Sequence, residues 1–231
     1  MKHTDHNHSS HEASLYDELT CHLPYAAFSV AIGFIVLSLL HFMSMNLAQA
    51  QLHKGYHILF HAFHYLHIMF AVTGTLVTFL RFSNHLTRGI IVSLISPAVF
   101  CTLSDVALPA LAGNILGVHM DMHICFFKLH DFMNVLPFML VGLITALSLS
   151  RHHVRSLNFI SLGSHFIHIL ISSLASLFYV VSYGFSGWPK VMGILYFFLV
   201  IAVVIPCTFS DVVVPLYFAR KKNKAAHKDA H

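Results

Sequence analysis

Charged side chains are scarce: Asp, Glu, Lys and Arg make up 10% of the 231 residues, and only nine of these are acidic. A soluble domain of this length needs a charged surface, so a chain that is 57% apolar with a mean hydropathy of +0.73 falls outside that class. No Lys or Arg sits centrally in any apolar stretch. Nothing there would hold an anion midway across a membrane, which favours a cation or a proton. The four cysteines, Cys21, Cys101, Cys125 and Cys207, make no CxxC pair and no disulfide framework. The first 22 residues are polar and the first apolar run is too long for a cleaved signal peptide, so the N-terminus is expected to be kept.

Six apolar segments are long enough to span a bilayer, at about 23–45, 57–80, 89–112, 124–150, 157–183 and 191–218. The expected fold is all-α, a polytopic integral membrane protein of six transmembrane helices. Its parts are a His-rich cytoplasmic tail (1–22), a three-helix unit (23–112), an external loop (113–123), a second three-helix unit (124–218) and a basic cytoplasmic tail (219–231). Lys and Arg divide ten to three between the two sides, with Lys54, Lys128 and Lys190 the minority. The positive-inside rule then puts both termini in the cytoplasm and the chain in the plasma (inner) membrane. The net charge of +4 reflects this topology and is no nucleic-acid footprint.

The two halves resemble each other. Cys101-Thr-Leu-Ser-Asp-Val-Ala-Leu-Pro109 matches Cys207-Thr-Phe-Ser-Asp-Val-Val-Val-Pro215 at six of nine positions, and His61-x-x-His64 parallels His165-x-x-His168. Leu23-Pro24-Tyr25 parallels Leu136-Pro137-Phe138 in the same order. Three spans per unit is an odd number, so the second copy is expected upside down. Inverted repeats of this kind build secondary transporters, with the substrate site near the midplane.

Helical periodicity gathers the polar residues. His53, His57, His61, His64 and His67 fall within roughly 120° of one another, on a stripe that Thr75 and Thr78 continue. Over about 1.5 Å of rise per residue the five imidazoles cover on the order of 21 Å, most of a bilayer's hydrocarbon depth. Span five carries a second stripe, Ser161, Ser164, His165, His168, Ser172 and Ser176. An imidazole facing lipid is expensive, so both stripes should face protein or a polar path.

An intramembrane carboxylate marks a functional site by default, and Asp105 and Asp211 are duplicated inside apolar helices. Pro109 and Pro215, four residues on, should free the main-chain carbonyls of Asp105 and Asp211 and kink each helix. Imidazole, carboxylate and thiol together form a transition-metal ligand set. The expected ligands are His61, His64, His165, His168, Asp105, Asp211, Cys101 and Cys207. His53, His57, His67, Ser104, Ser210, Ser161 and Ser164 should line the path. His119, Met120, Asp121, Met122, His123 and Cys125 would form an external mouth with soft-metal donors, and His130, Asp131 and Asn134 a proton relay.

The leading expectation is a transporter or channel for a cation, a divalent transition metal exchanged with protons, in contact with lipid and able to form a homodimer. A membrane-embedded metalloenzyme acting on a lipid is the second reading, because His57-x-x-x-His61 and His119-x-x-x-His123 have spacings such enzymes use. A haem-binding electron carrier is the third, with histidine as axial ligand. Six spans, cytoplasmic termini, histidine-rich tails and polar positions on spans two and five are similar to the plan of cation diffusion facilitators. That family's His/Asp-x-x-x-Asp pairs and folded C-terminal domain are missing, so the resemblance carries no residue over.

Overall fold

With no water in a bilayer core, an apolar segment must satisfy its own main-chain groups, and a helix does so within the segment. The computed structural model describes residues 15–44, 48–120, 122, 124–126, 128–151, 157–185 and 187–219, and among them there is no strand. The helices are α1 (Leu15–Met43), α2 (Gln49–Phe82), α3 (Leu86–Thr102), α4 (Leu108–Ile115), α5 (Leu129–Arg151), α6 (Leu157–Ser182) and α7 (Met192–Thr208). Stretches long and apolar enough to cross a membrane run over His22–Met43, Ala50–Phe82, Leu86–Ile115, Leu129–Ser150 and Trp188–Ala219, and α6 adds a shorter one, Phe166–Ser182.

Polar residues are buried within a largely apolar core, and large apolar side chains cover the outside of the bundle. Ser104, Asp105, Ser172, Ser173 and Ser176 have no exposed surface, whereas Ile144 and Phe197 are about two-thirds exposed. This suits a hydrocarbon surround, where internal polar groups bond one another and apolar faces meet lipid. The long helix α2 is the hub, packed against α3, α5 and α6, while α1 lies on α6 and α7. At the α2–α5 crossing the backbones nearly touch: a Cβ on Gly142 would fall 2.7 Å from Met69 O. Thr73 closes the crossing with a hydrogen bond to Gly142 O at 3.1 Å.

Both copies of C-T-x-S-D-V-x-x-P break their helix in the same way. A five-residue π turn, Leu103–Ala107, joins α3 to α4, and its counterpart Phe209–Val213 follows α7. The Leu108 N–H bonds Leu103 O and the Val214 N–H bonds Phe209 O, each five residues back. In that register the donor missing at Pro109 orphans the carbonyl of Ser104, and Pro215 orphans that of Ser210. The expectation of freed carbonyls on Asp105 and Asp211, which assumed an α register, is thus corrected by one residue. Neither orphan stays open. Ser176 of α6 donates to Ser104 O at 3.0 Å, and Thr75 of α2 donates to Ser210 O at 3.1 Å. Each half of the chain so caps the other half's broken helix. Ser176→Ala and Thr75→Val are each expected to lower the unfolding free energy by ~0.6–1.7 kcal/mol, the range for such bonds in membrane bundles, measured by denaturant titration of the protein in mixed micelles. Thr75→Ser, which keeps the hydroxyl, should lose less.

Candidate metal centre

The α2 stripe runs from surface to core. His53 is exposed, His57 and His61 are half-buried, and His64 and His67 are buried at 0% and 1%. Toward the exposed end the His57 and His61 ring centroids are 4.4 Å apart with the planes tilted by 44°, and Tyr183 OH lies 3.3 Å from His57 Nε2. His61 turns its Nδ1 N–H back to His57 O at 2.9 Å, away from the core.

Two carboxylates organise the inner end. The Nδ1 N–H groups of His64 and His67 both donate to Asp105 Oδ2, at 2.8 and 2.7 Å. Its other oxygen, Oδ1, accepts from Ser104 at 2.7 Å and from Ser172 at 3.0 Å. In the second half His168 Nδ1 donates to Asp211 Oδ2 at 2.7 Å. The pairs His64–Asp105 and His168–Asp211 are the same positions of the duplicated motifs, so the sequence similarity extends to the contact. The environments differ, since Asp105 meets two imidazoles and two hydroxyls while Asp211 Oδ1 is buried without a hydrogen-bond partner. Asp211 also packs on the α2 backbone, its Oδ2 3.5 Å from where a Cβ of Gly74 would sit.

A carboxylate accepts only, so each ring carries a proton on Nδ1, and when the imidazole is neutral its lone pair is on Nε2, the nitrogen that could ligate. Carboxylate–histidine pairs orient metal ligands in this way. His67 Nε2 lies 3.6 Å from Cys207 Sγ and 3.8 Å from Cys101 Sγ, and the His67 and His168 rings are 4.8 Å apart. Ligand atoms of His67, His168 and Cys207 all fall within 4.8 Å of one another, the group among the described residues best able to hold a metal ion. The Cys207 thiol also reaches Ser172 Oγ at 3.6 Å, which donates onward to Asp105.

Of the expected ligands, His64, His168, Asp105, Asp211, Cys101 and Cys207 gather here, with Ser104 beside them. His61 stays half-buried toward the exposed end of the stripe, and Ser210 lends its carbonyl to Thr75. The side chains of Ser161, Ser164 and His165 lie outside the described residues, as do Asp121, His123 and residues 1–14 and 220–231, and the segment expected as an N-terminal tail to residue 22 is helical from Leu15. The expected external mouth is divided. His119 and Met122 are exposed, Met120 is buried against Gly113, and Cys125 is buried at 1% beside Cys101, Ile68 and Val72. His130 and Asn134 are exposed and Asp131 half-buried, with His130 Nδ1 3.5 Å from Asp131 Oδ1 and away from the centre.

His67 was expected only as a step of the path, yet it touches Asp105, both thiols and His168. The spacing His64-x-x-His67 was the available signal, an i,i+3 pair overlapping the one that ends at His64. Tyr179 and Tyr183 continue the α6 stripe after Ser172 and Ser176 at steps of three and four. Compared with protein-family models, with curated proteins and with solved structures, the chain matches none.

Proposed function

We propose that this chain is a membrane transporter or channel for a small cation, and that the ion is a transition metal exchanged with protons. One observation carries the reading: a buried His67–His168–Cys207 group whose imidazoles are turned toward a common gap by Asp105 and Asp211. Neutral imidazole and thiolate select Zn²⁺, Co²⁺ or Cu(I), whereas oxygen donors alone suit Mg²⁺ or Ca²⁺. The graded burial of His53, His57, His61 and His64 supplies steps by which an ion reaches the gap without meeting hydrocarbon. The two halves act as inverted three-helix repeats in this reading, each carrying one His–Asp pair to a gap near the midplane. In this reading the protein is in the plasma membrane, and charge asymmetry supports an orientation with the His53 end outside and both termini in the cytoplasm.

Protons enter because ligation needs neutral imidazole and thiolate, so acid opposes binding. The contacts Cys207–Ser172–Asp105 give the released proton a route. Vesicles containing the purified chain should take up Zn²⁺ or Co²⁺ with counterflow of protons, and uptake should fall as the external pH drops through the imidazole range. No uptake above empty vesicles at any pH removes the proposal.

One observation favours the metalloenzyme as a second reading. His67 has no counterpart in the second half, where the offset of the HxxH pairs puts Ile171, and a single asymmetric centre is what activation of water requires. A modified lipid after incubation of vesicles with the metal-loaded protein would put that reading first.

A further inference from the structure

The duplicated Ser-Asp pair is used differently in its two copies. In the first, Ser104 Oγ donates to Asp105 Oδ1 at 2.7 Å, and Ser172 of α6 adds a second hydroxyl at 3.0 Å. In the second, Ser210 Oγ and Asp211 Oδ1 are both buried and neither has a hydrogen-bond partner. At the offset of the HxxH pairs the place of Ser172 falls to Ile68, so no hydroxyl of that origin serves the second copy. A buried carboxylate oxygen and a buried hydroxyl without partners each cost free energy. Two of them on adjacent residues, 1% and 6% exposed, point to a ligand.

The surroundings set its chemistry. Thr75 Oγ and Ser96 Oγ donate to Ser210 O at 3.1 and 3.5 Å, and a hydroxyl that donates its proton keeps its lone pairs. On the α2 side Gly74 carries no side chain. The nearest atoms of other elements to the point its Cβ would take are those of Asp211, with Oδ2 at 3.5 Å and Oδ1 at 3.9 Å, which leaves room beside the carboxylate. His168 holds Oδ2 at 2.7 Å, so the metal-centre imidazole and the unpartnered oxygen sit on the two arms of one carboxylate. The donors around Oδ1 are oxygens, and a single carboxylate balances a single positive charge. Oxygens at a broken helix beside a midplane site hold Na⁺ in secondary transporters.

We infer that Ser210 and Asp211, with the hydroxyls of Thr75 and Ser96 around them, form a Na⁺ site distinct from the transition-metal centre and joined to it through Asp211. This adds a second ion to the proposed function, and it stands on the two orphaned oxygens whether or not the chain moves metal. Where both sites are filled, Na⁺ and the metal alter each other's affinity by the same factor, so a Na⁺ gradient acts on metal movement.

The test is the thermal unfolding of the full chain in detergent, with a chelator to hold off transition metals and NaCl exchanged for choline chloride at constant ionic strength. Na⁺ should raise the midpoint by about 2–4 °C once it stands several-fold above its Kd, the order that mass action gives for a chain of this length. The rise should saturate. Ser210→Ala removes an oxygen that bonds nothing in the fold, so it should keep the midpoint in choline and lose at least about half of the Na⁺ rise. Asp211→Asn should lose all of it. Ser104→Ala, the same substitution in the first copy, should keep the rise. No rise with Na⁺, or one that either Ser210→Ala or Asp211→Asn retains in full, overturns the site. A Na⁺ rise in a protein that moves no Zn²⁺ or Co²⁺ across vesicles keeps the site and removes transport; uptake without a Na⁺ rise removes the site and keeps transport.

Discussion

Asp105→Asn is expected to abolish metal uptake into vesicles, and to do so far more completely than Asp211→Asn. Asp105 accepts four hydrogen bonds, two from imidazoles on Oδ2 and two from hydroxyls on Oδ1. An asparagine offers one accepting oxygen and an NH₂ that can only donate. Whichever way the amide turns, two of the four donors face another donor. If the amide oxygen takes Ser104 and Ser172, both rings lose their anchor and with it the tautomer that frees Nε2. If the oxygen keeps the rings, the hydroxyls must rotate away, and Ser172 no longer links Cys207 to an acceptor. Loss of a partner behind a metal ligand typically costs about 10–100-fold in metal affinity, and Asp105 stands behind two imidazoles. Asp211 differs because only His168 needs its oxygen. The asparagine can direct its oxygen to His168 and its NH₂ to the unpartnered side, so Asp211→Asn is expected at the low end, about tenfold. Uptake rates and Zn²⁺ affinities of the two variants, measured side by side, check the order.

The second large effect is at His67. His67→Leu is expected to weaken metal binding by more than about 100-fold, beyond the loss typical of a supporting residue, because it removes a ligand itself. The fold should survive. Asp105 Oδ2 retains His64, and leucine occupies a volume similar to that of the imidazole it replaces. His61→Leu is the matched control: its half-buried ring donates to its own helix, so it should slow uptake while leaving the bound metal in place. Equal metal content in the two variants would move the centre away from His67. Isothermal titration with Zn²⁺ reads the affinity, and the elution volume in detergent confirms that each variant is intact.

Much of the bundle was legible because its signals are local. Apolar runs of about twenty residues name the spans, and a step of three or four names the face on which His53 to His67 lie. The exact motif repeat at Cys101 and Cys207 also announced a shared local structure. What it could not announce was the register. Whether a proline orphans the carbonyl four or five residues back depends on whether the turn before it is α or π, and both fit the same nine residues. Partner choice was hidden for a related reason. Periodicity gives a residue's face and depth but not which side chain of another helix comes to meet it, so His67 read as one step among five when it is the point of convergence. Cys125 was the least legible. It lies on a connection without periodicity, and nothing local in the sequence says that this thiol is buried beside Cys101 and Val72.

X-ray absorption of the purified chain loaded with Zn²⁺, with the terminal tails removed from consideration by a matched sample carrying Cys101→Ser and Cys207→Ser, tests the central claim most directly. The account predicts a mixed first shell, sulfur at about 2.3 Å with nitrogen at about 2.0–2.1 Å, and loss of that sulfur in the matched sample. A shell of nitrogen and oxygen alone, the same in both samples, would contradict it.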